Sequence, residues 1–105
     1  METKEVDEKK SLKVNLWLRV ERNNKFVRGK KRAREEIEMF VLSRYSMKKL
    51  DKDSWEYELT IPYSSDEDLD ETIYDMLDEM ATTADLRNCF IEYDLRALDD
   101  SDRSW

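Results

Sequence analysis

Histidine is absent from this 105-residue chain, and cysteine, glycine and proline each occur once. Without histidine, no side chain of the chain has an ordinary pKa near neutrality, which removes the usual proton shuttle and the commonest metal ligand. A lone cysteine cannot form a disulfide within the chain, so nothing indicates a disulfide-stabilised secreted domain. These absences predict a protein that is not an enzyme and that uses no cofactor, no metal and no catalytic residue.

Long hydrophobic runs are also missing. The longest uninterrupted run of aliphatic and aromatic residues is Met39–Leu42, which is far too short to span a bilayer. The first ten residues, METKEVDEKK, lack the apolar centre of a secretory signal. We therefore expect a small soluble domain in the cytoplasm, with no membrane partner.

Charge is what the chain has in abundance, since 43% of its residues are charged and 39% are hydrophobic. Residues 1–50 carry fifteen Lys or Arg and eight Asp or Glu, whereas residues 51–105 carry four and eighteen. The formal net charge of −7 thus combines a basic half with an acidic half. The acidic total opposes indiscriminate binding to nucleic acid or to an anionic membrane, so only a localised basic patch could bind a polyanion.

Alternation of apolar and polar residues predicts four strands. The strongest signal is Leu12–Val20, where aliphatic residues occupy every second position. Similar alternation predicts strands over Trp55–Ile61 and Cys89–Leu95, and Met47–Leu50 is a shorter candidate. A turn is expected at residues 51–54, between the second and third of these strands.

Apolar residues at helical spacing predict two helices. The first runs from about Lys30 to Arg44, and its inner face carries Ala33, Ile37, Phe40 and Val41. The second runs from about residue 66 to residue 85 behind a serine-rich start that suits helix capping. Its outer face is nearly all acidic, and its inner face carries Leu69, Ile73, Met76, Leu77, Met80 and Ala84.

The resulting order is strand, helix, strand, strand, helix, strand, which resembles the ferredoxin-like (split βαβ) architecture. The resemblance covers about residues 11–97 and lies in the order of elements alone. It implies an α+β two-layer sandwich, ferredoxin-like βαββαβ, with an antiparallel sheet and both helices on one face. We expect a single domain at this length, with a disordered tail over residues 1–10 and a polar tail over residues 98–105.

The clearest candidate site is a run of seven Lys or Arg, with no Asp or Glu, between Arg22 and Arg34. A helix N-terminus usually collects acids, so cations there are unfavourable for the helix and indicate an anion site. Gly29 is expected to let the backbone approach a ligand closely. The predicted ligand is RNA or an acidic segment of a protein partner. The predicted ligand-binding residues are Arg22, Lys25, Arg28, Gly29, Lys30, Lys31, Arg32 and Arg34.

The same run has a simpler interpretation. Runs of charge usually form a solvated face, and this one could neutralise acids elsewhere in the same molecule. The run also lacks the glycine spacing and the Gly-Lys-Ser/Thr ending of a phosphate-binding P-loop.

The sheet face away from the helices is a second candidate surface, with Trp17 and Phe90 exposed among polar residues. RNA-recognition domains of the ferredoxin-like class stack bases on aromatic residues of this face. Here four acids share the surface and no basic-aromatic motif accompanies them, so cross-strand ion pairing is the favoured interpretation. The same face could pair two subunits, which makes a homodimer or other regulatory oligomer the alternative function.

A small hydrolase that uses strand carboxylates is the third alternative. Its candidate acids are i,i+2 neighbours on the polar faces of two strands, namely Glu56 with Glu58 and Glu92 with Asp94. A solvated strand face explains such pairs more simply. Cys89 occupies an alternating strand position among apolar residues, so it is expected in the core rather than as a nucleophile.

Overall fold

Four strands and two helices follow one another in the order that the sequence predicts. The protein is described by a computed structural model that covers residues 10–50, 55–99 and 101–105. Residues 1–9 of the tail predicted over residues 1–10 lie outside the described residues, and so does the turn predicted over residues 51–54, whereas Lys10 begins β1. The elements are β1 (Lys10–Arg22), α1 (Lys30–Glu36) with a π-helical turn (Ile37–Val41) and a 3-10 turn (Leu42–Arg44), β2 (Ser46–Lys49), β3 (Glu56–Tyr63), α2 (Asp66–Asp85) and β4 (Cys89–Ala97).

The strands form one antiparallel sheet in the order β2-β3-β1-β4. The long strand β1 lies between β3 and β4. Its residues from Lys10 to Trp17 pair with β3, and its residues from Val14 to Arg22 pair with β4. Lys10 lies opposite Tyr63, whereas Arg22 lies opposite Cys89. The α+β class with a four-stranded antiparallel sheet and two helices is therefore confirmed.

The aliphatic face of β1 forms the centre of the core, and each of its five residues is at most 4% exposed: Leu12, Val14, Leu16, Leu18 and Val20. Both helices pack on this side of the sheet and against each other. All six predicted inner residues of α2 are buried, and so is Cys89. None of the helices in the described part of the chain is both long enough and apolar enough to cross a bilayer.

The inner face of the first helix differs from the prediction at two positions. Phe40 is 57% exposed, whereas Leu42 is fully buried. The reason is that the α-helix ends at Glu36 and continues as a wider π-helical turn before it tightens into a 3-10 turn. The period of 3.6 residues per turn, on which the prediction rested, does not hold through this stretch. The change of pitch rotates Phe40 outward and Leu42 into the core.

The last residues of the chain pack against β4. The backbone N–H of Trp105 donates to the carbonyl of Leu95 at 3.0 Å, and its indole N–H donates to Asp70 at 2.9 Å. Arg103 pairs with Asp66 at 3.4 Å. The segment that the sequence marks as a polar tail thus contacts the start of α2.

Candidate anion-binding site

An open pocket of about 740 Å³ lies between the loop after β1 and the first turns of α1. Pockets of several hundred cubic ångströms are the usual size of small-ligand sites. Val27 and Trp55 supply apolar lining. The rest of the lining consists of six of the eight predicted ligand-binding residues: Arg22, Lys25, Arg28, Lys30, Lys31 and Arg34.

The loop that carries these cations has a defined backbone. Asn24 holds a turn, because its side-chain oxygen accepts the N–H of Phe26 at 2.9 Å and its carbonyl accepts the N–H of Val27 at 3.3 Å. The N–H of Asn23 donates to the carbonyl of Asn88 at 3.0 Å. The last of these bonds ties the loop after β1 to the loop that precedes β4.

Arg34 and Trp55 form one wall of the pocket. The guanidinium carbon of Arg34 lies 3.9 Å from the centre of the Trp55 ring, which is a close cation–π contact. Two nitrogens of Arg34 donate to the hydroxyl of Tyr57 at 3.4 Å each. The same hydroxyl donates to Glu38, which also pairs with Lys49 at 3.3 Å. Burial of the ring and the bond to Glu38 raise the pKa of Tyr57 to about 12.

Lys30 is partly neutralised within the protein. Its ammonium lies 3.2 Å from a carboxylate oxygen of Glu21, which also accepts a bond from Arg19. The hydrogen bond from Lys30 is the main reason why the pKa of Glu21 lies below its ordinary value. Because Glu21 already pairs with it, Lys30 should attract an anionic ligand more weakly than an unpaired lysine would.

Four of the cations that line the pocket have no such partner. Within residues 10–50, 55–99 and 101–105, no carboxylate lies within 4.0 Å of their charged nitrogens. The nearest interactions are weak, because Arg22 reaches a backbone carbonyl at 3.5 Å and Lys25 lies 5.4 Å from the Phe26 ring centre. The four residues are Arg22, Lys25, Arg28 and Lys31.

The two remaining predicted residues do not line this pocket. Gly29 has φ −90°, which any residue can adopt, so the backbone freedom expected of it is not used. A Cβ at this position would lie 3.3 Å from the Cβ of Arg87, so the absence of a side chain at Gly29 leaves room for Arg87. Arg32 and Gly29 line a neighbouring shallow pocket, which shares Arg28 and Lys31 with the first pocket and is also lined by Glu35 and Arg87.

The site is defined by side chains and not by a helix terminus. The α-helical part of α1 has seven residues, and Gly29 supplies no side-chain cap. The anion site that the sequence predicts at the helix start stays a prediction, and six of its eight predicted residues line the pocket.

Trp55, Val27 and Arg87 are the residues of this region that sequence reasoning missed. Trp55 is the first residue of the strand that the sequence predicts over Trp55–Ile61, and the fold places it just before β3 and beside the pocket, where its carbonyl accepts the N–H of Leu18 at 2.8 Å. Arg87 holds Glu36 through two bonds of 3.0 and 2.7 Å, and these lower the pKa of Glu36. The sequence feature that could have drawn attention to Arg87 is its position as a single cation between acidic stretches of the chain.

The open sheet face carries the ion pairs that the simpler interpretation predicts. Lys13 pairs with Glu58 on β3 and Arg19 with Glu92 on β4, at 3.8 Å in each case. Trp17 is 38% exposed and Phe90 44%. Trp17 lies opposite Asp94, four residues from Phe90 along β4, so the backbone positions of the two residues are about 13 Å apart along the strand direction. They do not form one continuous aromatic platform.

Comparison of the chain with protein-family models, with curated proteins and with solved structures finds no match. Among the described residues, no group of three or more Cys, Asp or Glu side chains is arranged to hold a metal ion.

Proposed function

We propose that the protein is a small non-enzymatic binding domain that takes an anionic ligand in the pocket between the loop after β1 and α1. The observation that carries the proposal is the set of four cations, free of carboxylate partners among the described residues, on one pocket: Arg22, Lys25, Arg28 and Lys31. Like charges held together repel one another, and a bound anion relieves that repulsion. Arginine adds a planar fork that matches phosphate or carboxylate oxygens.

RNA and an acidic segment of a protein partner are the two ligand classes that the sequence predicts, and both carry suitable anionic groups. The indole of Trp55 beside the cations supports RNA, because bases stack on aromatic side chains. Arg34 already covers one face of that ring, which leaves less of it for a base. Either ligand must carry anionic oxygens at spacings that let them contact the four cations.

We further propose that the architecture belongs to the ferredoxin-like class. What supports this is the interleaving of the strands, since β3 lies between β1 and β2, and β1 lies between β3 and β4. Each strand–helix–strand unit is thus split by a strand of the other unit. Such a fold carries many unrelated functions, so the proposal of ligand binding depends on the pocket alone.

The first experiment is a ¹⁵N–¹H spectrum titrated with a short single-stranded RNA at low salt and again at higher salt. We expect shifts confined to residues 22–34 and their neighbours, and weaker binding at higher salt because counterions are released. The double variant Arg28→Gln/Lys31→Gln should reduce the affinity. Lys13→Gln/Lys48→Gln removes the same charge from the sheet and should change it far less.

Three results would change the proposal. Equal losses in the two double variants would mean non-specific attraction. Shifts centred on Trp17 and Phe90 would move the site to the open sheet face. If neither RNA nor an acidic peptide perturbs residues 22–34, the pocket is not a binding site for anionic ligands, and the basic run only balances the acidic half.

Self-association through the open sheet face is the second candidate function. The observation that favours it is the exposure of Trp17 and Phe90 on that face, although ion pairs cover much of the surface around them. Sedimentation at low and high salt tests it, and a monomer under both conditions removes it.

A further inference from the structure

Two large apolar side chains project from the same end of the molecule. Phe26 is 79% exposed and Leu86 is 78% exposed, while the other exposed large apolar side chains of the described residues reach 61% at most. They lie on different loops, after β1 and after α2, which border one open pocket of about 610 Å³. Val27 and Arg28 line both this pocket and the candidate anion site, so the apolar surface continues the basic one.

The surroundings of these two side chains are mainly basic. Lys25 lies beside the Phe26 ring, and Arg28 and Arg87 border the pocket that Phe26 and Leu86 share. Of the nearby acids, Glu36 is bound to Arg87 and Glu21 to Lys30, whereas Asp85 and Glu35 are exposed. We call this surface the basic tip, and it consists of Arg22, Lys25, Phe26, Arg28, Lys31, Leu86 and Arg87.

Much of the acidic surface lies far from the basic tip. α2 runs from its acidic first turn, Asp66 to Asp68, to Asp85 beside Leu86. Its twenty residues span about 30 Å, whereas charges in physiological salt are screened over about 8 Å. An anionic surface that touches the tip is therefore screened from the acids at the start of α2, and the net charge of −7 does not prevent contact.

We propose that the basic tip docks on a lipid bilayer that contains anionic headgroups, with Phe26 and Leu86 entering the interface and the cations holding headgroup phosphates. The inference rests on the proposed function, because it names a lipid headgroup as the anionic ligand of the pocket. The sequence argued against a membrane partner because no apolar run can span a bilayer. A peripheral contact needs only a few apolar side chains together with cations.

A bilayer matches the tip better than RNA or an acidic peptide does. A bilayer has anionic headgroups at its surface and an apolar layer directly beneath them. The cations of the tip can therefore contact the headgroups while the protruding apolar side chains enter the layer beneath. RNA has no apolar counterpart for Leu86. A peptide binds best in a groove, whereas Phe26 and Leu86 stand out from the surface.

Co-sedimentation with vesicles tests the proposal. The full chain should bind vesicles of phosphatidylcholine mixed with phosphatidylserine, should bind pure phosphatidylcholine far less, and should bind more weakly as salt rises. Phe26→Ser/Leu86→Ser should lose about tenfold or more in affinity for the mixed vesicles, because two apolar side chains no longer enter the interface. Phe40→Ser/Leu98→Ser removes two exposed apolar side chains from outside the tip and should bind as the unaltered chain does.

A second measurement separates this inference from the proposed function. Soluble polyphosphate is added to the ¹⁵N-labelled chain, and shifts at residues 22–34 report on the pocket without any bilayer. Shifts with polyphosphate but no binding to mixed vesicles would overturn the membrane inference and leave the pocket. Unaltered vesicle binding by Phe26→Ser/Leu86→Ser would also overturn it, and tighter binding of RNA than of vesicles would favour the RNA alternative. No shift and no vesicle binding would overturn both proposals.

Discussion

Arg34 has the most extensive contacts of the cations that line the pocket. It stacks on Trp55, and it donates two bonds to the hydroxyl of Tyr57, whose ring is fully buried. A planar guanidinium can stack and donate at the same time, which the compact ammonium of lysine cannot do. Arg34 therefore forms part of the pocket wall, whereas the four cations without a carboxylate partner among the described residues remain for a ligand: Arg22, Lys25, Arg28 and Lys31.

Replacement of Arg34 by Lys should lower the free energy of unfolding by about 1 kcal/mol, because the stacked contact is lost and the charge is kept. Urea unfolding measures the change. Arg32→Lys makes the same substitution at an exposed position of the same helix and should leave the urea midpoint in place. An unchanged midpoint for Arg34→Lys would show that the contact with Trp55 contributes little.

Tyr57 should make the stability of the protein fall at high pH. The folded state raises its pKa from 10.0 to about 12, so the folded state holds this proton more tightly than the unfolded state does. Its contribution is complete below pH 10 and is lost as the pH rises toward 12, and it amounts to about 2–3 kcal/mol. Urea unfolding of the unaltered chain and of Tyr57→Phe across this range should show the steeper fall only where the hydroxyl is present. Parallel curves would contradict the prediction.

At the scale of elements, the π-helical turn after α1 decides which side chain fills the core. The turn covers Ile37–Val41, and the 3-10 turn that follows places Leu42 inside while Phe40 faces solvent. A regular α-helix would have put Phe40 on the inner face. The local change of pitch thus exchanges the roles of two apolar residues that lie two positions apart.

Leu42→Ala should therefore cost about 2–5 kcal/mol of stability, because it leaves a cavity in the core. Phe40→Ala should cost no more than about 0.5 kcal/mol, because its ring lies at the surface. Urea unfolding of the two variants measures both losses of stability and shows which is larger. The opposite order would mean that the first helix keeps a regular period through residue 42.

For the whole molecule, the separation of charge is the dominant property. The pocket concentrates cations near the end of β1, while α2 begins with three acids at the other end of the sheet. Lys13 pairs with Glu58 and Arg19 with Glu92 across the sheet, and Lys30 of the pocket pairs with Glu21 of β1. Arg22, Lys25, Arg28 and Lys31 thus have no direct carboxylate partner among the described residues, and the simpler interpretation, in which the basic run balances the acidic half, stays a prediction.

Neutralisation of three pocket cations, Lys25→Gln/Arg28→Gln/Lys31→Gln, should raise the free energy of unfolding by about 0.5 kcal/mol at low salt, because mutual repulsion is relieved. The gain should shrink at high salt, where the same repulsion is screened. Lys13→Gln/Lys48→Gln/Arg96→Gln makes the same change in net charge on the sheet, where two of the cations have partners, and should give no gain. A loss of stability in the pocket variant would show that its cations support the fold.

The sequence by itself determined the order of elements, the aliphatic face of β1, the inner face of α2 and most of the residues of the basic pocket. These follow from local patterns in the sequence. Alternation of apolar and polar residues indicates a strand, apolar residues at helical spacing indicate a helix, and a run of cations is recognised from neighbouring residues alone. The tertiary structure alone decided the burial of Leu42, the place of Trp55, the surroundings of Gly29 and the position of Phe26 and Leu86 on one pocket. Each of these depends on contacts between segments distant in the chain or on a change of helical pitch, and neither leaves a periodic signal in the sequence.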